Sequence, residues 1–137
     1  MLRKSSNVLV VAGLVVLFAV FGCGRKDLSA SGSDGARMAA EYFYELLSKG
    51  DAKAYVDNMS DAALMDSSKY GQFVDLMKQF LHEETELRGG IVSASATRER
   101  MVGDTVGMVF LNVEFGDSTR EEVMLPVVYT RGRWWIR

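Results

Sequence analysis

The sequence predicts an α+β domain in which three N-terminal helices pack on a curved antiparallel sheet of about four strands. Between about residues 36 and 84, apolar residues recur at spacings of three and four, as on amphipathic helices. From Leu87 onward, apolar and polar residues alternate, which is the period of a half-buried strand. Because helices and strands occupy separate halves of the chain, we expect the helices on one face of an antiparallel sheet.

The first predicted helix spans about residues 36–49, with Ser33 or Asp34 as its N-cap. Its apolar residues share one face, which we expect to enter the core: Ala39, Tyr42, Phe43, Leu46 and Leu47. Gly50 is a helix stop signal. Asp51 can then cap a short second helix.

The third predicted helix spans about residues 67–84. It carries an aromatic and aliphatic stripe that we expect to be core: Tyr70, Phe73, Leu76, Met77, Phe80 and Leu81. His82, the only histidine, lies beside Glu83 and Glu84 near the end of this helix. Adjacent helix positions point in different directions, so these three side chains predict a solvated helix end and no metal site.

Four strands are predicted, at about residues 89–97, 105–115, 119–130 and 134–137. Gly116 and Asp117 form a hairpin signal between the second and third strands. Pro126 lacks a backbone donor, which indicates a sheet edge or a bulge at that point. Trp134 and Trp135 are adjacent in the last strand, so one is expected in the core and the other on the outer face.

The N-terminus has the pattern of a secretory signal. Arg3 and Lys4 precede an apolar run without charge from Val8 to Phe21. The run is shorter than the ~20 residues of a membrane-spanning helix, so cleavage after export is expected. Residues 1–22 are the predicted signal peptide, and residues 23–35 are a predicted linker of small polar residues that tethers a domain at residues 36–137.

The sequence Val20-Phe21-Gly22-Cys23 resembles the lipobox of bacterial lipoproteins. That resemblance implies cleavage before Cys23 and acylation of its thiol, which would anchor the protein in a membrane of the cell envelope. Gly24, where an aspartate would signal retention, implies the outer membrane in an organism that has one. The alternative is that Cys23 is an apolar residue at the end of an uncleaved signal anchor.

Composition excludes several classes of site. Cys23 is the only cysteine, so neither an internal disulfide nor a cysteine-based metal site can form. Removal of residues 1–22 leaves 14 basic and 18 acidic residues, a net charge of −4 that does not suit a nucleic-acid partner. No phosphate loop, nucleophile elbow or zinc-type spacing occurs, so no cofactor and no metal is predicted.

Several packing and turn motifs resemble the nuclear transport factor 2-like (SnoaL-like or cystatin-like) superfamily, and in particular its small bacterial lipoproteins of unknown function. These motifs are the helix from Ala40 to Asp51, the entry Arg88-Gly89-Gly90-Ile91, the turn Gly103-Asp104-Thr105-Val106 and the segment Gly132-Arg133-Trp134-Trp135-Ile136. The resemblance implies a cone with a pocket at its wide end. Enzymes of this superfamily place acid–base residues in that pocket, but none of their catalytic sets matches this sequence, so no catalytic residue is assigned.

Three hypotheses follow for the domain. The preferred one is a non-catalytic domain that binds an apolar small molecule or another envelope protein, with Tyr42, Tyr55, Tyr70 and Glu114 as possible pocket residues. The alternative is an isomerase- or cyclase-type enzyme that uses Glu114 or a tyrosine. The third is a structural module whose pocket is filled by Phe73, Phe80, Phe110 and Phe115. Trp134 and Trp135 are candidate interface residues, and the resemblance implies a possible homodimer through the sheet.

Overall fold

A computed structural model describes residues 27–137. The predicted signal peptide, Cys23 and the start of the predicted linker lie outside the described residues. The helices are α1 (Gly32–Ser48), α2 (Ala52–Asp57) and α3 (Ser67–Arg88), with a 3-10 turn at Ala62–Leu64 between the last two. The strands are β1 (Ile91–Val102), β2 (Val106–Phe115), β3 (Arg120–Thr130) and β4 (Arg133–Ile136). All neighbouring strands are antiparallel in the order β1-β2-β3-β4, which confirms the predicted fold class.

Helix α1 crosses the inner face of the sheet and contacts all four strands. Strand β2 alternates strictly, so every second side chain, including Val109, Leu111 and Val113, points towards α1. The largest fully buried side chains come from both layers: Phe43, Val56, Val109, Leu111, Val113, Val127 and Trp134. The core therefore lies between α1 and the sheet, with α2 closing one end.

The start of α1 differs from the prediction. The helix begins at Gly32, so residues 32–35 of the predicted linker are helical, and Ser33 and Asp34 are not its N-cap. The preceding residues are held against the sheet by three hydrogen bonds. The Trp134 backbone N–H donates to the Leu28 carbonyl (3.0 Å), Trp134 Nε1 donates to the Ala30 carbonyl (2.7 Å), and the Tyr129 hydroxyl donates to the Ser29 carbonyl (2.6 Å). These tertiary contacts order a segment that its composition alone indicates is flexible.

Helix α3 extends four residues beyond its predicted end and stops at Gly89, whose left-handed conformation closes the helix. Its apolar stripe is core only in part: Met77 and Leu81 are half-buried against the core, whereas Leu76 and Phe80 are exposed, and Val74 is the only fully buried residue of the helix. Helix α3 packs chiefly against α2, and it contacts the sheet at β1. Part of its apolar side, including Leu76 and Phe80, therefore faces a gap. None of the helices within residues 27–137 combines the length and apolarity that a membrane-spanning helix requires.

Pro126 lies on β3, which has β2 and β4 as neighbours, so neither of the two predicted alternatives, a sheet edge or a bulge, is found there. It pairs with Met108 of β2 in an unbroken register, so no bulge is present at this point. Its carbonyl accepts a hydrogen bond from the Arg137 N–H (3.0 Å), just beyond the last residue of β4. Since the N–H and C=O of a strand residue point to the same side, the missing donor faces Arg137, where β4 has ended and no ladder hydrogen bond is lost within the strand.

The N-cap of α3 allows a test of its stability. The Asp66 carboxylate accepts a hydrogen bond from the Lys69 N–H (2.8 Å), so we expect Asp66→Ala to lower the free energy of unfolding by about 1 kcal/mol. Asp61 precedes the 3-10 turn without a side-chain cap hydrogen bond, and Asp61→Ala is the matched control, expected to be near neutral. Urea denaturation of both variants measures the difference. Equal effects would show that the cap does not contribute.

Candidate functional site

The gap between α3 and the sheet is an apolar groove of about 470 Å³. We call it the α3 groove, and its walls come from α2, α3, the middle of β3 and the end of β4. It is lined by Tyr55, Val56, Met59, Phe73, Leu76, Met77, Phe80, Leu125, Ile136 and Arg137. Leu76 is 60% exposed and Phe80 is 38% exposed. Because both belong to one contiguous apolar surface, their exposure indicates a binding surface more than two isolated exposed side chains would.

The chemistry of the α3 groove is almost entirely that of hydrocarbon and aromatic surface. Among its described lining residues, only Tyr55 and Arg137 carry ionisable groups. Burial raises the pKa of the Tyr55 hydroxyl well above its usual value, so this group stays protonated at neutral pH. It can donate a hydrogen bond to a ligand, but it is a poor general base.

A second compartment of about 370 Å³ adjoins the α3 groove, and Phe80 lines both. Its apolar walls are Ile91, Val113, Phe115 and Val123, whereas its polar groups are Tyr44, Glu84, Arg88 and Glu121. The Arg88 guanidinium donates to Glu84 (3.1 Å) and to Glu121 (2.9 Å), and it lies 3.8 Å from the centre of the Phe115 ring. This cluster connects the end of α3 to β3.

Tyr44 is the neutral polar group of this compartment. Burial, followed by the nearby Glu121 and Glu84 carboxylates, raises the pKa of its hydroxyl. Because Arg88 is paired with both carboxylates, the compartment presents hydrogen-bonding groups without a free cation. Neither Tyr44 nor Arg88 is identifiable as a site residue from the sequence, because Glu121 lies 33 positions from Arg88 and only the fold brings them together.

Glu114 does not face a pocket, so the predicted role for it is corrected. Val113 and Phe115 point inward, and alternation therefore places Glu114 on the outer face of the sheet. Its carboxylate lies 4.0 Å from a guanidinium nitrogen of Arg120, its register partner on β3. The sheet thus separates Glu114 from the α3 groove.

The three tyrosines predicted to line one cavity lie in three different places. Tyr55 lines the α3 groove, and Tyr42 lines a separate hollow of about 250 Å³ between α1 and β1. Tyr70 lines a third cleft and donates its hydroxyl hydrogen to the Asp57 carboxylate (2.5 Å). Asp57 also accepts from Lys53 (3.1 Å), so Tyr70 belongs to a surface network. Only Tyr55 is positioned to meet a ligand in the groove.

The four phenylalanines proposed to fill the pocket do not do so. Phe110 lies on the outer face under the Arg98 guanidinium, 3.7 Å from its ring centre, and Phe115 lines the second compartment. Phe73 and Phe80 form walls of the α3 groove and leave its volume open.

The two tryptophans lie on opposite faces, as predicted. Trp134 is fully buried, and its ring meets that of Tyr129 edge to face at 5.3 Å. Trp135 lies on the outer face, where its Nε1 donates to the Thr130 carbonyl (2.8 Å). Trp134 is thus a core residue, and Trp135 is the one of the two that stays a candidate interface residue.

His82 is exposed on α3, and within residues 27–137 no three His, Cys, Asp or Glu side chains are grouped in a way that could hold a metal ion.

No protein-family model and no curated protein matches the sequence. A solved structure with a similar fold is the crystal structure of a protein named as a candidate NTF2-like transpeptidase from Campylobacter jejuni. The two chains superpose with a TM-score of 0.59, and the match covers 72% of this chain and 93% of the other. The chain has the nuclear transport factor 2-like fold. At 14% identity the likeness shows the fold and says nothing of a shared activity.

Proposed function

We propose that this protein is a lipid-anchored cell-envelope protein whose nuclear transport factor 2-like domain binds an apolar small molecule in the α3 groove. The observation that carries the proposal is the position of the α3 stripe. Leu76 and Phe80 of this stripe are exposed beside the groove, so a ligand that entered it would remove them from water.

The dimensions and lining of the groove support a small molecule as the ligand. A volume of about 470 Å³ lies in the usual range for such sites, which are mainly apolar with a few polar groups that fix orientation. Leu76, Met77 and Phe80 supply the apolar contact area, and the Tyr55 hydroxyl supplies one hydrogen-bond donor. Methionine and phenylalanine side chains together can adapt to ligands of different shapes.

Binding is a better account of this arrangement than acid–base catalysis. The carboxylate predicted for the enzymatic alternative, Glu114, lies behind the sheet, and the Tyr55 hydroxyl stays protonated. Glu84 and Glu121 of the second compartment both form ion pairs with Arg88, so their carboxylates are engaged as structural partners. We therefore propose that the ligand is held without covalent change.

The location in the envelope is supported by the sequence. A positively charged start, an apolar run without charge and the lipobox-like Val20-Phe21-Gly22-Cys23 together indicate export followed by acylation. An acyl anchor would place the groove close to a membrane, which is a source of apolar molecules. Denatured intact mass of protein extracted from its own membranes tests this part, because a chain that begins at Met1 without lipid would exclude the anchor.

The groove is tested by titration with N-phenyl-1-naphthylamine, an uncharged apolar dye that fluoresces when it leaves water. We expect saturable binding that Leu76→Gln weakens about fivefold, since the substitution removes about 1 kcal/mol of apolar contact. Leu76 is already 60% exposed, so the variant is expected to fold normally.

Leu87→Gln is the matched control, because Leu87 lies on the same helix and is 75% exposed but lines neither compartment. It is expected to bind the dye as the wild type does. Equal affinities for the wild type and both variants would place the dye outside the α3 groove and contradict the proposed site.

A further inference from the structure

An apolar row crosses the outer face of the sheet at the end that carries the β3–β4 turn. The strand register places Trp135 beside Val128, Val128 beside Val106, and Val106 beside Val102. All four point away from the core, and Val102 is 61% exposed. We call these four side chains the outer row.

Two arginines flank the tryptophan at the end of this row. The guanidinium groups of Arg131 and Arg133 lie over the Trp135 ring, 4.4 and 3.8 Å from its centre. Within residues 27–137 neither arginine forms a salt bridge, whereas Arg98 and Arg120 on the same face are paired with glutamates.

Both guanidinium groups keep donors for a further partner. Arg131 donates one hydrogen bond to the Ser60 carbonyl (2.8 Å), and Arg133 donates to Asn58 and to the Trp134 carbonyl. Each guanidinium carries five N–H groups, so several stay available to an anion. The carboxylate of the adjoining cleft, Asp57, is already engaged by Lys53 and Tyr70.

The described chain begins beside this surface. The Leu28 carbonyl is hydrogen-bonded to the Trp134 N–H, so Asp27 lies next to the part of β4 whose outward side chains are Arg133 and Trp135. Only Gly24-Arg25-Lys26 separates Asp27 from Cys23. Even a fully extended chain of this length reaches about 14 Å, so an acylated Cys23 would hold the β3–β4 turn close to the bilayer.

We propose that the outer row and its two arginines rest on the membrane, with Trp135 at the interface and Arg131 and Arg133 on anionic lipid headgroups. Tryptophan favours the boundary between headgroups and acyl chains, and arginines near an anionic surface are attracted to it. The inference depends on the acyl anchor of the proposed function. It places the α3 groove on the side of the sheet that faces away from the bilayer.

The test uses the full lipidated protein reconstituted into vesicles of phosphatidylglycerol and phosphatidylcholine whose acyl chains carry bromine near the headgroup. Bromine quenches tryptophan emission at short range. We expect quenching of the wild type, and none for Trp135→Phe, whose emission comes only from the buried Trp134. In the double variant Arg131→Gln/Arg133→Gln, we expect less quenching. The ratio of domains in contact with the membrane to domains that are tethered but not in contact should fall about fivefold for each arginine removed.

Arg120→Gln is the matched charge control, because Arg120 lies on the same face at the opposite end of the sheet. It is expected to keep the wild-type quenching. Denatured intact mass separates the two possible failures. An acylated protein whose Trp135 is not quenched would overturn the membrane contact alone, whereas a chain without lipid would overturn the anchor and this inference together. A native dimer that Trp135→Ala dissociates would assign the surface to a second copy and also overturn the proposal.

Discussion

Replacing Trp134 by alanine is expected to lower the free energy of unfolding by about 3–5 kcal/mol. Its side chain is fully buried, packs edge to face with Tyr129 and donates a hydrogen bond to the Ala30 carbonyl. The substitution would leave a large cavity in the core and release the segment that precedes α1. A loss of this size is a large part of the stability of a small domain.

Trp135→Ala is the control for that experiment. Trp135 lies on the outer face, so its removal leaves no cavity in the core and is expected to cost about 1 kcal/mol or less, chiefly its contacts with Arg131 and Arg133. Urea denaturation monitored by far-ultraviolet circular dichroism gives the free energy of unfolding of both variants. This signal reports the backbone and does not require either tryptophan. Similar losses for the two variants would contradict the assignment of Trp134 to the core.

Two glycines in helices are expected to respond to alanine with opposite signs. A Cβ on Gly35 of α1 would overlap the Ala30 carbonyl oxygen and lie 2.9 Å from Trp134 Nε1. Gly35→Ala must therefore displace the backbone before α1, and we expect it to lower the free energy of unfolding by about 2–3 kcal/mol. The close approach exists because residues 28–30 are held against β4.

Gly71 of α3 is the matched site, since a Cβ there would meet no atom within 4 Å. Gly71→Ala is expected to raise the free energy of unfolding by about 0.5–1 kcal/mol, because alanine favours the helix and restricts the unfolded chain. Urea denaturation of the two variants under one set of conditions gives both signs. A neutral Gly35→Ala would show that the segment before α1 is not held against the sheet.

The periodicity of the sequence predicts which residues form helices and strands, but it predicts less well which of their side chains are buried. Helices and strands are local patterns, so Asp51 and Gly50 could be read as boundary signals, and the alternation of β2 was visible in the sequence. That alternation was also sufficient to place Glu114: Val113 and Phe115 cannot both point inward unless Glu114 points outward. The alternation along β2 is therefore a local signal that excludes a pocket role for Glu114.

The other differences had no local signal. The α3 stripe shows that one side of the helix is apolar, but periodicity cannot say whether that side meets a core or an open groove. Just before α1, the carbonyls of Ser29 and Ala30 accept hydrogen bonds from residues about a hundred positions later in the chain. These hydrogen bonds fix the segment from which the helix starts. Small polar residues at 29–34 look like a linker until those partners are known. The groove and the ordered start of the domain both depend on tertiary contacts.

The central claim is that the α3 groove holds an apolar small molecule, and native mass spectrometry of protein extracted gently from its own membranes tests it most directly. We expect the native mass to exceed the denatured mass of the same chain by that of one small molecule. The excess should be retained by Leu87→Gln and reduced by Leu76→Gln. Equal native and denatured masses for the wild type, or an excess that Leu76→Gln does not change, would contradict the account.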